Sequence, residues 1–126
     1  IYIAGIDDVS TEMDDAKSVA AQVNSKDFVI FLAHNPSVIS SSLLLTDRNG
    51  RGNWFDLGLF GHTHGGQIPF LEEAFNFNGV PSRYESGLLL ENRSWLLISR
   101  GVGTTGLPAR LFCQPEIHLI TVQSGT

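Results

Sequence analysis

Two of the four histidines in this 126-residue chain, His62 and His64, stand one residue apart in the stretch LFGHTHGGQIPF, among glycines and directly after the apolar run Leu57-Gly58-Leu59-Phe60. Imidazole suits Zn, Fe and similar ions. On a straight strand, residues i and i+2 share a face; in a tight turn they converge on one centre or straddle two adjacent ones. Gly61, Gly65 and Gly66 let the backbone turn sharply there and leave room for a metal or a substrate. An isolated HxH is equally what a surface turn displays, so the pair alone leaves both readings open. A third histidine, His34, follows another apolar run, Phe28 to Ala33, and shifts the balance toward a site.

The elements that must position these side chains are legible as patterns. Ile1 to Gly5 reads as a strand, and a chain that opens inside a strand reads as a piece of something longer. Asp7 and Asp8 follow as a turn or helix-start feature. Ser10 or Thr11 can cap a helix from about Thr11 to Val23, with Met13, Ala16, Val19, Ala20 and Val23 at helical spacing and Asp14 in a capping-box-like position. Phe28 to Ala33 predicts a strand buried on both faces, and Pro36 suits the first turn of a helix through about Leu45. After the polar loop TDRNGRGN, Asp56 to Phe60 predicts a second buried strand. His34, His62 and His64 then stand at equivalent carboxyl ends of strands, the edge where ligand sites gather in open α/β sheets. Beyond Gln67 the expectation is antiparallel: Tyr84 to Leu90, a turn at Glu91-Asn92-Arg93, Trp95 to Ser99, and a last strand from Glu116 to Val122. His118 alternates with Ile117 and Leu119 in that last strand and stays outside the site.

Composition narrows the partners. At 126 residues and 42% hydrophobic content, the chain can build the core of one domain. The formal net charge of -5, with eight Lys and Arg scattered singly, provides no basic stripe for a phosphate backbone, which argues against general nucleic-acid binding. The single Cys113 excludes an intrachain disulfide and a cysteine-based metal site and reads as a core or strand-end thiol. No apolar run approaches the roughly 20 residues that span a bilayer, and the opening residues lack the basic region of a signal peptide. A cupin, the main rival for HxH on β-structure, needs a glutamate four or five residues after the second histidine, but here Gly65 to Leu71 intervene before Glu72.

Taken together, FLAHNP, DLGLFGHTHGGQIP and SRGVGTTGLPARLFCQPEIHLITV resemble the carboxyl-terminal half of calcineurin-like metallophosphoesterases, in the bacterial branch whose last metal motif reads GHTHGGQ. The resemblance covers nearly the whole chain. It implies a single partial domain over residues 1–126, the carboxyl-terminal half of a four-layer α/β/β/α sandwich built from parallel βα units followed by antiparallel strands. It further implies two divalent ions per full-length domain (Mn, Fe or Zn), with His34 and His62 on one and His64 on the other. Such a pair of ions, about 4 Å apart, clamps an in-line displacement at phosphorus and activates a hydroxide against phosphomonoesters or phosphodiesters. Asn35, Gly65 and Gly66 are placed for outer contacts or substrate oxygens, and Arg100 and Arg110 for phosphate or for structural roles.

The family's earlier motifs, D-x-H, GD and GNH, do not occur in these residues. Without their bridging carboxylate two dications repel each other unopposed, so the resemblance implies that the chain alone does not assemble the centre and is inactive by itself. It also implies an uncovered sheet face, hence self-association, and a parent in the bacterial cytoplasm or at a membrane. A binding or scaffolding domain that keeps the fold without hydrolysis is the alternative. The loop Asp47 to Asn53 and the stretch Phe70 to Tyr84 are candidates for substrate choice; Phe70, Phe75 and Phe77 read as packing residues or as a face for a lipid or nucleoside moiety.

Overall fold

The computed structural model describes residues 1–125. Five strands, β1 (Tyr2–Gly5), β2 (Val29–Leu32), β3 (Leu57–Phe60), β4 (Gly87–Glu91) and β5 (Ser94–Ile98), form one mixed sheet in the order β1-β2-β3-β5-β4. β1, β2, β3 and β5 run parallel, and β4 is the antiparallel edge, paired only to β5 through the Glu91–Ser94 hairpin. The chain is therefore α/β. Its helices are short: α1 (Ala16–Ala20), α2 (Ile39–Ser42) and α3 (Pro69–Phe75), with single 3-10 turns between them. Among the described residues no helix is long and apolar enough to cross a membrane.

Each new parallel strand is added on the same side of the last one. A right-handed crossover places its connection on one particular face, so strands that advance in one direction gather all their connections on that face. The core follows this rule. Ala4, Val29, Phe31, Phe60, Leu96 and Ile98 point to the covered side and are buried with Ala20, Ile39 and Trp54 from the connections. Phe31 is fully buried at its centre, with its ring centroid 4.9 Å from Trp54, 5.3 Å from Phe55 and 5.9 Å from Phe60. The Trp54 indole donates to the Ser42 carbonyl at 2.8 Å, which ties the connection after α2 to the core. Asp47 organises the loop behind it, accepting from the backbone N–H groups of Ser25, Asn49 and Arg51, and these bonds, Ser25's foremost, hold its carboxyl far below the usual range.

The opposite face is apolar and uncovered: Ile3 is 71% exposed, Leu88 58%, Leu90 57% and Trp95 48%. The expected burial of β2 on both faces is thus corrected, since Val29 and Phe31 are buried while Leu32 is exposed. The expected last strand over Glu116 to Val122 is corrected as well. These residues run past the bare face and share a groove with Leu57, Trp95 and Leu97, but they pair with no strand, and Ile117 and Leu119 project into solvent. Alternation makes a strand only where the segment lies alongside an edge it can pair with, and this one lies past the sheet face instead.

The helices depart from expectation for local reasons. The predicted helix from Thr11 to Val23 is broken into a 3-10 turn at Val9–Thr11 and the short α1. Asp8 caps the first through Ser10 N–H, Asp15 caps the second through Ser18 N–H, and Glu12 between them is left-handed. Short acidic side chains close backbone turns around themselves and so compete with a continuous helix. The helix from Pro36 starts where expected, as a 3-10 turn, and α2 stops at Ser42 rather than near Leu45. Tyr84 belongs to a 3-10 turn, not to β4, and buries its ring while its hydroxyl donates to Glu91. α3 was not expected; Pro69 opens it and left-handed Asn76 closes it.

The unpaired tail is anchored at its start. Glu116 accepts from the Arg100 guanidinium at 2.7 Å and the Arg100 backbone N–H at 2.9 Å, with His118 3.3 Å away. The Arg100 side chain, foremost, holds the Glu116 carboxyl down at about 2, against an ordinary 4.5. A depressed acid stabilises the fold above its unfolded value and loses that contribution as pH falls through its folded value. Acidification from pH 4.5 to 2 is expected to release the tail, read as a change in Trp95 fluorescence. In Glu116→Gln that step should be missing, and an unchanged step would assign it to other carboxylates.

Candidate functional site

Hydrogen bonds past the strand ends bring two histidines together. Ala33 N–H donates to the Leu59 carbonyl at 3.2 Å, and Gly61 N–H donates to the His34 carbonyl at 3.0 Å, so the ends of β2 and β3 leave the sheet in register. The His34 and His62 rings lie edge to face, with centroids 5.2 Å apart and planes at 80°. His64 opens the 3-10 turn His64–Gly66, and all three histidines line one cavity of about 660 Å³. His62 Nε2 is 3.3 Å from the Asn78 carbonyl and His64 Nδ1 is 3.2 Å from that of Gly103, which leaves the other nitrogen of each ring free of those contacts.

The turn that carries the histidines is held in an unusual backbone. His62 (φ 68°), His64 (φ 52°), Gly65 (φ 61°), Gly66 (φ 73°) and Gln67 (φ 52°) are all left-handed. For residues with a Cβ this conformation costs about 1–3 kcal/mol and persists only where surroundings enforce it. The enforcement is visible. Thr63 is buried, donates its hydroxyl to the Glu85 carbonyl at 2.6 Å and accepts from Gly65 N–H. Cys113 is a buried thiol, as expected, and donates to the carbonyls of His64 and Gly65 at 3.2 Å. A side chain at Gly65 would collide with Arg100 and Cys113, and one at Gly66 with the Glu85 carboxylate. Glu85 Oε1 is itself buried without a partner, and burial first, then Glu72 and Glu73, pushes its acid upward.

The remaining sequence candidates are placed as follows. Asn35 accepts from Ser37 N–H and caps the turn after His34. Arg110 directs its guanidinium at the carbonyls of His64, Arg100 and Gly103, at 3.0, 2.7 and 2.6 Å, and Arg100 is joined to Glu116. His118 pairs with Glu116 away from the cavity. Asp8 is the helix-start residue the sequence suggested, capping the turn through Ser10 N–H, and its carboxyl is held low chiefly by Ser10 and to a smaller degree by the nearby His34 and His62. Sequence reasoning overlooked Asn78 and Gly103, whose carbonyls meet the histidine rings and whose side-chain chemistry gives no signal.

The spacing of His34 and His62 suits two imidazoles sharing one ion, but two imidazoles are half of a four-coordinate shell. Among the described residues no group of three or more His, Cys, Asp or Glu is arranged to hold a metal. The chain's own donors therefore fit part of a metal centre and do not complete one.

The chain is similar to the uncharacterized protein YpbG of Bacillus subtilis (strain 168), at 35% identity over 124 residues, covering 97% of this chain and 42% of that protein. It is 32% identical over 128 residues to the uncharacterized metallophosphoesterase YkuE of the same organism, covering 98% and 41%. It is 37% identical over 97 residues to the phosphodiesterase YaeI of Escherichia coli (strain K12), covering 72% and 31%. The chain spans less than half the length of these relatives, and the matches fall in their carboxyl-terminal half. No family model and no solved structure matches it.

The left-handed histidines yield a stability test. Glycine adopts such φ values freely, so in urea unfolding His62→Gly and His64→Gly are expected to keep the free energy of unfolding or raise it by up to about 1 kcal/mol. A loss of more than about 1 kcal/mol in both variants would mean that the imidazoles are there to hold the fold.

Proposed function

We propose that this chain is the carboxyl-terminal portion of a metallophosphoesterase domain that hydrolyses phosphate monoesters or diesters, and that residues 1–126 are one partial domain of it. The observation that carries the reading is the meeting of His34, His62 and His64 in one cavity at the carboxyl ends of adjacent parallel strands. The relatives named metallophosphoesterase and phosphodiesterase support it.

In this reading His34 and His62 hold one divalent ion and His64 belongs to a second, of Mn, Fe or Zn, with the remaining donors supplied from outside these residues. The ions would supply Lewis-acid stabilisation of charge at phosphorus. The chain's own residues hold the imidazoles in place. Thr63 and Cys113 fix the turn from below, and the Asn78 and Gly103 carbonyls orient the rings as partners of ligand histidines commonly do. Gly65 and Gly66 keep that turn free of side chains. Arg110 belongs to this support, since it contacts the backbone around His64. The four-layer sandwich of the full domain places a second sheet on the bare face.

Titration calorimetry of the 126-residue chain with Zn or Mn should show weak uptake of at most one equivalent, abolished by His62→Ala. In a longer protein that carries the missing donors, Mn-dependent hydrolysis of a nitrophenyl phosphate ester should fall about 100-fold or more in His64→Ala. Tight binding of two equivalents by the chain alone would refute the need for outside donors, hydrolysis unchanged in His64→Ala would remove His64 from the site, and no hydrolysis by the unsubstituted protein would favour the scaffolding alternative.

The same reading has the uncovered sheet face seek a partner, and for the chain alone that partner is a second copy. Light scattering at high concentration should report dimers or larger species, with Leu88→Lys and Leu90→Lys together restoring the monomer. A monodisperse wild-type monomer would count against this.

A further inference from the structure

Arg110 spends its whole donor set on backbone. A guanidinium carries five N–H groups in a planar fork and accepts nothing. Here Nε donates to the Gly103 carbonyl at 3.0 Å, and Nη1 donates to the carbonyls of His64 at 3.0 Å and Cys113 at 3.5 Å. Nη2 donates to the carbonyls of Gly103 at 2.6 Å, Arg100 at 2.7 Å and Gly101 at 3.3 Å. Among the described residues no carboxylate is paired with this arginine. Every acceptor belongs to the histidine turn or to the loop after β5, so the arrangement is complete within the chain. An arginine committed in this way keeps no N–H for a phosphate.

Two of those contacts converge on His64. Arg110 holds the His64 carbonyl directly, and its Nε and Nη2 both grip the Gly103 carbonyl, the oxygen that the His64 ring meets through Nδ1 at 3.2 Å. A carbonyl can only accept, so that contact is a hydrogen bond when Nδ1 carries the ring proton, and the lone pair then sits on Nε2. His62 is held differently. Its Nε2 is 3.3 Å from the Asn78 carbonyl, and the Asn78 N–H donates to Glu72 of α3 at 3.0 Å, a chain of contacts that does not include Arg110. The two histidines of one turn therefore lean on separate supports, His62 on the α3 side and His64 on the loop after β5.

We propose that Arg110 is a positioning residue for His64 alone: its fork presents the Gly103 carbonyl to Nδ1, and so selects the ring nitrogen that keeps the lone pair, without acting on His62. The two parts of the histidine site can then be lost independently. Where His34 and His62 serve one ion and His64 another, as in the phosphoesterase reading above, Arg110 governs only the second.

The test locates the ring protons in the isotope-labelled chain, free of metal and at mildly alkaline pH, where imidazole is neutral. Long-range nitrogen–proton correlations should place the His64 proton on Nδ1 and the His62 proton on Nε2. In Arg110→Met the Nδ1–H signature of His64 should be lost as its proton moves to Nε2, with His62 and the circular dichroism unchanged. Arg110→Lys, which keeps the charge but not the fork, should shift His64 the same way and takes the place of the methionine variant if that one does not fold. A His64 proton on Nε2 in the unsubstituted chain, or unshifted signatures in the folded variants, overturns the proposal. Equal changes at both histidines overturn it too, since they would make Arg110 a general support of the turn. In a longer protein that carries the missing donors, Arg110→Met should weaken one of two Mn equivalents about tenfold or more and spare the other; equal weakening of both would contradict the proposal. Uptake of a single equivalent by the unsubstituted longer protein would count against the two-ion reading, while the ring signatures still decide the role of Arg110.

Discussion

A sheet that grows by right-handed crossovers in one direction can be covered by its own connections on one face only. That constraint governs this molecule. β1, β2, β3 and β5 advance across the sheet without reversing, so Phe31, Phe60 and Leu96 find Trp54, Ile39 and Ala20 above them, while Ile3, Leu88 and Trp95 face water. The same parallel advance sends the carboxyl ends of β2, β3 and β5 to one edge. The histidines, the glycine turn and the loop from Ser99 onward meet there because the topology leaves them nowhere else to go.

At that edge the geometry is made by covering, not by propensity. Histidine has no preference strong enough to put two of its kind in left-handed backbone two residues apart. The loop after β5 supplies the constraint: Arg110 and Cys113 reach the carbonyls of His64 and Gly65, and Gln67 reaches back to that loop. The reciprocal ties make the turn and the loop one unit. Arg110 and Cys113 carry part of the local strain from outside the cavity, while Gln67 lines it.

Much of this was legible in the sequence, for a physical reason. Phe28 to Ala33 and Asp56 to Phe60 are apolar β-forming runs that end in histidine, and a buried parallel strand has few other sequence signatures. The hairpin at Glu91 to Ser94 was likewise carried by its turn residues. What escaped depends on competition between local and distant interactions. Asp8 and Asp15 each outbid a continuous helix for nearby N–H groups, and α3 is marked only by Pro69 and Asn76 at its ends. The Glu116 to Val122 alternation was read correctly as a pattern, but pairing requires reaching an edge, and this segment runs past the bare face beside Leu57, Trp95 and Leu97 and pairs with neither β1 nor β4. At the site the histidines were visible because their side chains carry the chemistry. Asn78 and Gly103 were invisible because only their carbonyls do.

The span of these ties also sets how local each part of the fold is. The bonds from Arg110 to the His64 carbonyl, from Cys113 to the His64 carbonyl and from Thr105 to Gln67 close loops of 46, 49 and 38 residues. Closing loops of that length consumes chain entropy before any contact returns it, whereas β1 pairs β2 and β2 pairs β3 from shorter separations. The β1-β2-β3 portion of the sheet is thus the more local part of the fold, and the histidine turn is the less local one. The left-handed geometry at His64 and Gly65 is held by contacts from the last third of the chain, so the cavity depends on that part being docked.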